Sequence, residues 1–306
     1  MRIALIGQSA FGESVLNALI ERGEGVIAVL CPPDREGLPV DPLKVAAQGH
    51  EVPVHQFRRM RDREAIDAFV ALKPDLCVMA FVTDIVPDEI LEAPARGTIQ
   101  YHPSLLPKHR GPSAINWPII QGEARTGLTI FWPDKGLDTG PILLQKEVGI
   151  GANDTVGSLY FDRLSPMGVE AMVEAVDMVG SGTAPKIPQD ESLATYEGWC
   201  RAADVTIDWA KPVDEVHNLV RGSDPSPGAG TTLGGQAVRF YRVEKRTGDS
   251  GKSPGEVIEV SDDVFGVAAT GGVLWVRRVQ PEGSRKVNAS EWIESVKLSA
   301  GARFGT

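Results

Sequence analysis

Two segments hold the side chains best suited to chemistry: IQYHPSLLPKHRGPSAINW, residues 99–117, and FWPDKGLDTGPILLQK, residues 131–146. His102 follows an apolar run of strand length and enters a Pro-bounded loop, a placement that holds an imidazole at the end of a sheet with its nitrogens reachable. Asp138 stands in a Gly-bounded loop after another apolar run. Folded together, the two would suit acyl chemistry. An imidazole can hydrogen-bond developing negative charge, and a neighbouring carboxylate can orient it and take a proton from attacking water or amine. The plain alternative is a structural loop histidine, and spacing alone does not establish contact. Ser104 lies only two residues after His102 and lacks the nucleophile-elbow pattern, so backbone or ligand positioning suits it better than covalent catalysis. Cys77, inside an apolar run, reads as a buried small side chain. Lys108, His109 and Arg110 would either hold an anionic tail or form a solvated basic turn. No spaced set of His, Cys or carboxylates makes a metal site, and no metal is expected.

The elements that must position these residues follow from periodicity. Ile3–Ile6 is an apolar run ending at Gly7, helical spacing continues through Phe11, Leu16 and Leu19, and Val26–Leu30 reads as a second strand. Further strands are expected at Leu76–Ala80 and Thr98–Tyr101, with helices at Asp62–Leu72 and Pro87–Leu91 between them. This is an α/β pattern, an open parallel sheet with helices on both faces, whose ligands meet the carboxyl ends of the strands, here after Ala80 and Tyr101. Gly7 and Gly12 lack the GxGxxG arrangement and no Walker sequence follows, so neither NAD nor ATP is expected; the glycines permit a tight strand-to-helix crossing. Helical spacing over Asp154–Val179, capped at Thr155, is broken near Pro166 and stopped by Gly180 and Gly182. Beyond a linker lying over the first domain come a helix at Val213–Val220 and short β-runs at Ala237–Glu244, Gly255–Val260, Val264–Ala269 and Val273–Val279, the pattern of a small barrel or antiparallel domain. The expected domains are residues 1–183, a linker over 184–204, and residues 205–306.

At 306 residues the chain can bury an ordinary core without staples. With 31 basic and 41 acidic residues its formal charge is −10, which disfavours a general phosphate-tracking surface while leaving room for a local basic patch. Three scattered cysteines, no leader-like opening and no apolar run of membrane-spanning length point to a cytoplasmic protein without a membrane partner.

YHPSLLPKHRG, SAINWPIIQG and GLDTGPILLQ resemble the signature regions of the formyltransferases that use 10-formyltetrahydrofolate. VDPLK, LATYEGWC and IDWAKPVDEVHNLVRGSDPSPGA extend the resemblance over nearly the whole chain, and within the family it is to the amino-terminal hydrolase domain of 10-formyltetrahydrofolate dehydrogenase, with methionyl-tRNA formyltransferase as a relative. The resemblance implies a Rossmann-like catalytic domain followed by a small β-rich, barrel-like (OB-like) domain, and a reduced folate as formyl donor. His102 would bond the formyl oxygen or its oxyanion, and Asp138 would orient His102 and assist deprotonation of the nucleophile. Phe81, Thr83 and Ile85 would border the pterin, Ser104 and Leu105 would line the approach to the formyl group, and the folate carboxylates would lie nearer the KHR turn. The transferases commonly carry Asn two positions before the motif histidine; this chain has Gln100, which keeps the amide donor on a reach longer by one methylene. The implied reaction is hydrolysis to formate and tetrahydrofolate, or transfer to a small amine. Initiator tRNA is the alternative acceptor, disfavoured by the acidic balance and by a compact CPPDREGLPVDPLK without a basic insertion; Arg58–Arg63 is either a local phosphate contact or an exposed helix start. A non-enzymatic folate-binding module is the third option.

Overall fold

The computed structural model describes residues 1–305. The chain forms two compact units, the first from Met1–Ala114, Gly127–Val148 and Asp162–Glu197, the second from Ile115–Thr126, Gly149–Phe161 and the chain from Gly198 onward. This redraws the expected domain boundaries. Residues 184–197 belong to the first unit because they bond to it backbone to backbone: Ile187 exchanges hydrogen bonds with Ile142, Arg110 N–H donates to Thr195 O, and Glu197 N–H donates to Arg110 O. Two excursions of the chain, 115–126 and 149–161, belong instead to the second unit.

The first unit contains β1 (Arg2–Gly7), α1 (Ser9–Glu21), β2 (Gly25–Cys31), α2 (Pro42–Gly49), β3 (Val54–Gln56), α3 (Arg63–Leu72), β4 (Leu76–Ala80), α4 (Asp88–Leu91) and β5 (Thr98–His102). After α5 (Asn116–Ile120), which lies in the second unit, come β6 (Arg125–Phe131) and β7 (Ile142–Gly149). The sheet order is β3-β2-β1-β4-β5-β6-β7, parallel through β5, with β6 antiparallel to it. Strand β4 and, after the exposed Arg2, strand β1 are apolar because both faces are covered. Their period-two alternation sends Ile3, Leu5, Leu76 and Val78 into the core with α1 and α2, and Ala4, Ile6, Cys77 and Met79 into the core with Ile66, Phe69 and Ile90 of α3 and α4. Gly7 is required by close approach: a Cβ there would lie 2.4 Å from Ala80 O.

Helical structure over 154–179 follows the expected break. Thr155 caps α6 (Val156–Leu159) through a capping box with Ser158, a π-turn spans Tyr160–Leu164, and α7 (Ser165–Ser181) restarts with Pro166 in its first turn, where a missing N–H costs nothing. Gly182 closes α7 in the left-handed conformation.

The second unit continues with α8 (Val213–Gly222), β8 (Ala229–Leu233), β9 (Gln236–Thr247), β10 (Val257–Val260), β11 (Phe265–Ala269), β12 (Gly272–Pro281), β13 (Val287–Asn288) and α9 (Ala289–Val296). Its antiparallel strands run β10-β11-β12-β9-β8, with β13 on β12. Near the chain end Arg303 bridges Glu256, just before β10, and Phe304 bridges Leu233 on β8, so one segment ties together the two edges of the sheet in barrel fashion. Its core is aromatic: Phe240, Phe265, Phe304, Trp209 and Trp292 pack with ring centroids 5.1–6.2 Å apart.

His217 on α8 is completely buried in this unit. Burial, reinforced by the Arg221 and Lys245 cations against the weaker pull of Asp214, lowers its pKa from 6.5 to about 4. Between these values the unfolded chain binds a proton that the folded one refuses. The stabilisation present above pH 6.5 is therefore lost as pH falls toward 4, by up to about 3 kcal/mol. Urea melts at pH 7.5 and 4.5 are expected to show that loss, and His217→Leu to reduce it; an unaltered pH slope in the variant would contradict the assignment.

Candidate active site

Strand β5 delivers His102 to its carboxyl end, and Gln100, two residues earlier, faces the same side of the sheet. Both His102 and Asp138 are buried, at 5% and 7% exposure, and His102 Nδ1 lies 3.6 Å from Asp138 Oδ2. The structure thus brings the two together across 36 residues of sequence. The separation exceeds a hydrogen bond, however, and the ring is oriented by a different partner: His102 Nε2 lies 2.9 Å from the main-chain oxygen of His109. A carbonyl only accepts, so Nε2 carries the proton and Nδ1 is left facing the carboxylate. The expectation that Asp138 orients His102 is corrected accordingly. Asp138 supplies the charge opposite Nδ1, and its Oδ2 is itself fixed by the Gly111 N–H at 2.9 Å.

Both partners of the His102 ring adopt left-handed backbone, His109 at φ +56° and Asp138 at φ +57°, the kind of local strain that surrounding bonds must hold in place. The loop 103–111 is pinned from several directions. Thr129 Oγ1 donates to Ser104 O at 2.7 Å and accepts from Leu106 N–H, while the Gln145 amide donates to Leu106 O at 2.8 Å. Asp134 folds the other loop, accepting from Gly136 N–H and from the Thr139 hydroxyl at 2.6 Å. Residues 187–197 then strap the two loops together. The Gln189 amide donates to Asp138 O and Gly140 O at 2.8 and 2.7 Å, and Thr195 Oγ1 accepts from His109 N–H.

This strap changes the reading of the KHR turn. His109 and Arg110 are buried, His109 Nδ1 lies 3.2 Å from Glu197, and the Arg110 guanidinium donates to Gln189 and to both oxygens of Glu191. Pairing raises the Arg110 pKa further and lowers that of Glu191. Neither side chain is available to a folate carboxylate. Ser104 is likewise committed: it is fully buried and its hydroxyl donates to Lys108 O at 2.6 Å, so it holds the loop and cannot line a ligand approach. Leu105 is partly buried, its side chain set against Gly127, where a Cβ would come within 2.6 Å of it.

The loop after β4 presents Phe81 and Ile85 to solvent at 46% and 72% exposure, with Phe81 in left-handed backbone. Leu137, beside Asp138 in sequence, is also exposed. Thr83 Oγ1 accepts from the Gln8 amide at 3.2 Å, and Thr83 lines a small cleft with Gly7, Cys31, Phe57 and Met60 at the carboxyl ends of β1 and β2. The Gln100 amide has no hydrogen-bond partner among the described residues, which leaves its N–H groups available to a bound oxygen. At the start of α1 the Ser9 N–H is bound by both oxygens of Asp41, which also caps α2, so a carboxylate occupies the anion position that a dinucleotide pyrophosphate would need. Cys77 is buried and its thiol pKa strongly raised by desolvation, as suits an inert side chain. Among the described residues no group of three or more His, Cys, Asp or Glu could hold a metal ion, and no helix is long and apolar enough to cross a membrane.

Comparison with known proteins gives this geometry its context. Residues 1–176 match the formyl transferase family and residues 200–297 the formyl transferase C-terminal domain. Mitochondrial 10-formyltetrahydrofolate dehydrogenase of Mus musculus is 40% identical over 98% of this chain, which spans only 34% of that relative's length. Methionyl-tRNA formyltransferase of Geobacter metallireducens is 38% identical over 100% of this chain and 99% of its own. In fold the chain is similar to HypX from Aquifex aeolicus in complex with tetrahydrofolic acid, with a TM-score of 0.71 at 20% identity, covering 98% of this chain and 48% of HypX. By both of its domains and by its full-length similarity, the chain belongs to the formyl transferase family.

Proposed function

We propose that this protein takes the formyl group of 10-formyltetrahydrofolate and passes it to water or a small amine, with His102, Asp138 and Gln100 as the catalytic residues. The observation that carries the reading is the buried His102–Asp138 pair beside the unpartnered Gln100 amide at the carboxyl end of β5. The exposed loop carrying Phe81 and Ile85, with Thr83 between them, would border the pterin, and Leu105 the approach to the formyl group.

The chemistry follows from the bonding. With Nε2–H held by His109 O, proton work at His102 runs through Nδ1. When the nucleophile adds to the formyl carbon, negative charge grows on the formyl oxygen, where an amide N–H of Gln100 and Nδ1–H of the protonated ring would donate. The Asp138 carboxylate stabilises that imidazolium and takes the proton released by the nucleophile. Collapse of the tetrahedral intermediate breaks the bond to N10 of the folate, which takes up the proton that Asp138 received from the nucleophile, giving tetrahydrofolate and either formate or an N-formyl product. Burial of the pair strengthens each of these interactions relative to water.

The acceptor preference rests on charge. The chain is acidic overall, and in the segment from Cys31 to Lys44 the Lys44 ammonium is already engaged by Asp34 and Gln56. The second reading, formylation of initiator Met-tRNA, is favoured by the full-length match to a tRNA formyltransferase. Incubation with 10-formyltetrahydrofolate alone, with small amines and with charged initiator tRNA, separating formate from N-formyl product, decides between them. Formate release or small-amine formylation is expected to exceed tRNA formylation; transfer to tRNA several orders of magnitude faster would overturn the preference.

A further inference from the structure

The second unit contains a cavity of about 360 Å³ that the formyl chemistry does not use. It is built on three neighbouring strands. Tyr241 and Arg242 come from β9, Arg278 from β12 directly opposite Tyr241 in the ladder, and Lys286 from the residue preceding β13. Three cations, Arg242, Arg278 and Lys286, thus line one cavity. Asp224 is the one carboxylate in the lining; its Oδ2 accepts the Arg242 main-chain N–H at 3.0 Å and its charge acts on the Lys286 ammonium, leaving the lining with an excess of cations.

The cations are poorly satisfied by the protein. Arg278 Nε is buried without a hydrogen-bond partner, and the Arg242 and Arg278 guanidinium groups form no ion pair among the described residues. Lys286 Nζ donates to Pro225 O at 2.6 Å and lies 3.9 Å from the centre of the Tyr241 ring, contacts that bring no negative charge. Burial, helped by Arg278 and opposed by Asp224, holds its ammonium below the usual lysine range. A buried donor without an acceptor costs free energy unless a ligand supplies one. Arg242 is also held at φ +49°, a left-handed conformation that a long side chain rarely adopts. Beside these cations Phe161 stands 67% exposed on the cavity lining, its ring in a T-shaped contact with Tyr160 at 5.1 Å between centroids and otherwise open to a ligand.

We propose that this cavity binds the phosphate of a small nucleotide, with Arg242, Arg278 and Lys286 holding the phosphate oxygens and Phe161 stacking on the base. Three cations against one carboxylate leave a local charge of +2, the complement of a phosphate monoester dianion, in a protein of net charge −10. Guanidinium forks suit phosphate oxygens in geometry as well as charge. The exposed ring is what selects a nucleotide over phosphate alone, since stacking on an aromatic adds affinity for any base.

The test is calorimetry on the full chain with AMP, UMP, adenosine and inorganic phosphate, alongside a short single-stranded RNA. Both nucleotides are expected to bind and to be competed by phosphate, and adenosine to bind far more weakly. Arg278→Gln is expected to weaken nucleotide binding at least about tenfold, the loss of one charge-assisted contact. Phe161→Ala should weaken the nucleotides while leaving phosphate affinity unchanged. Arg242→Gln, at an exposed side chain, repeats the test if Arg278→Gln does not fold, as judged by circular dichroism and thermal melting. Absence of nucleotide binding at millimolar ligand, or equal binding by wild type and variants, overturns the proposal. RNA binding that is lost in the variants while free nucleotides fail to bind also overturns it, in favour of a polynucleotide backbone contact.

Discussion

His102→Ala is expected to lower turnover of 10-formyltetrahydrofolate by about 10²-fold or more while leaving the melting temperature within a few degrees of wild type. The loss should fall on kcat more than on KM, because Nδ1 acts on charge and protons that appear only in the transition state. Asp138→Asn is the sharper variant. An amide oxygen still accepts the Gly111 N–H, so the loop keeps its anchor, but the negative charge facing Nδ1 is gone. Its turnover is expected to fall by a similar factor with the fold intact. Steady-state kinetics together with circular dichroism make the check; wild-type turnover in either variant would place the chemistry elsewhere. Gln100→Ala is expected to be milder, since one donor to the oxyanion is lost and no proton carrier.

Gly111→Ala is expected to have the second largest effect, through backbone alone. Gly111 sits at φ +107°, and a Cβ there would lie 2.3 Å from Glu197 O, so either the loop or the strap must move. The N–H of this residue fixes the carboxylate of Asp138, and residues 195–197 fix the main chain of His109 and Arg110. Displacement of either side therefore disturbs both partners of His102. A fall in kcat of about tenfold to 10²-fold is expected, the scale associated with misplacing catalytic groups by about 1 Å, accompanied by a lower melting temperature. Gly23→Ala provides the control: its φ is +80° but its Cβ would meet nothing within 4 Å, so it carries the backbone strain without the clash. If the two variants lose turnover equally, the strap has no special part in holding the site.

Much of the scaffold was legible because it depends on local pattern. The unbroken apolar runs of β1 and β4, the helical spacing of α1 and α3, the Thr155 cap and the Pro166 restart all express preferences of neighbouring residues, and the structure places them within a few positions of expectation. Elements with mixed patterns were harder: α2 and β3 lie in a stretch of small, polar and proline residues, and β8 and α9 depend on burial supplied by strands far away in sequence. His102 and Asp138 stood out as candidates, the first as one of only five histidines and both in Pro- or Gly-bounded loops after apolar runs, and the structure sets them 3.6 Å apart.

What the sequence by itself determined was thus a doubly covered parallel sheet, a β-rich second domain and a candidate His–Asp pair. Tertiary structure alone decided how those residues are held. The acceptor of His102 Nε2–H is a main-chain oxygen, a group every residue carries, so it leaves no mark in residue type. His109 and Arg110 of the KHR turn looked available because their partners Gln189, Glu191 and Glu197 come some 80 residues later in an unpatterned polar stretch, whereas Lys108 stays exposed. Such pairings arise only when the chain returns over the sheet, and it is this return that turns a basic loop into a fixed frame around His102 and Asp138.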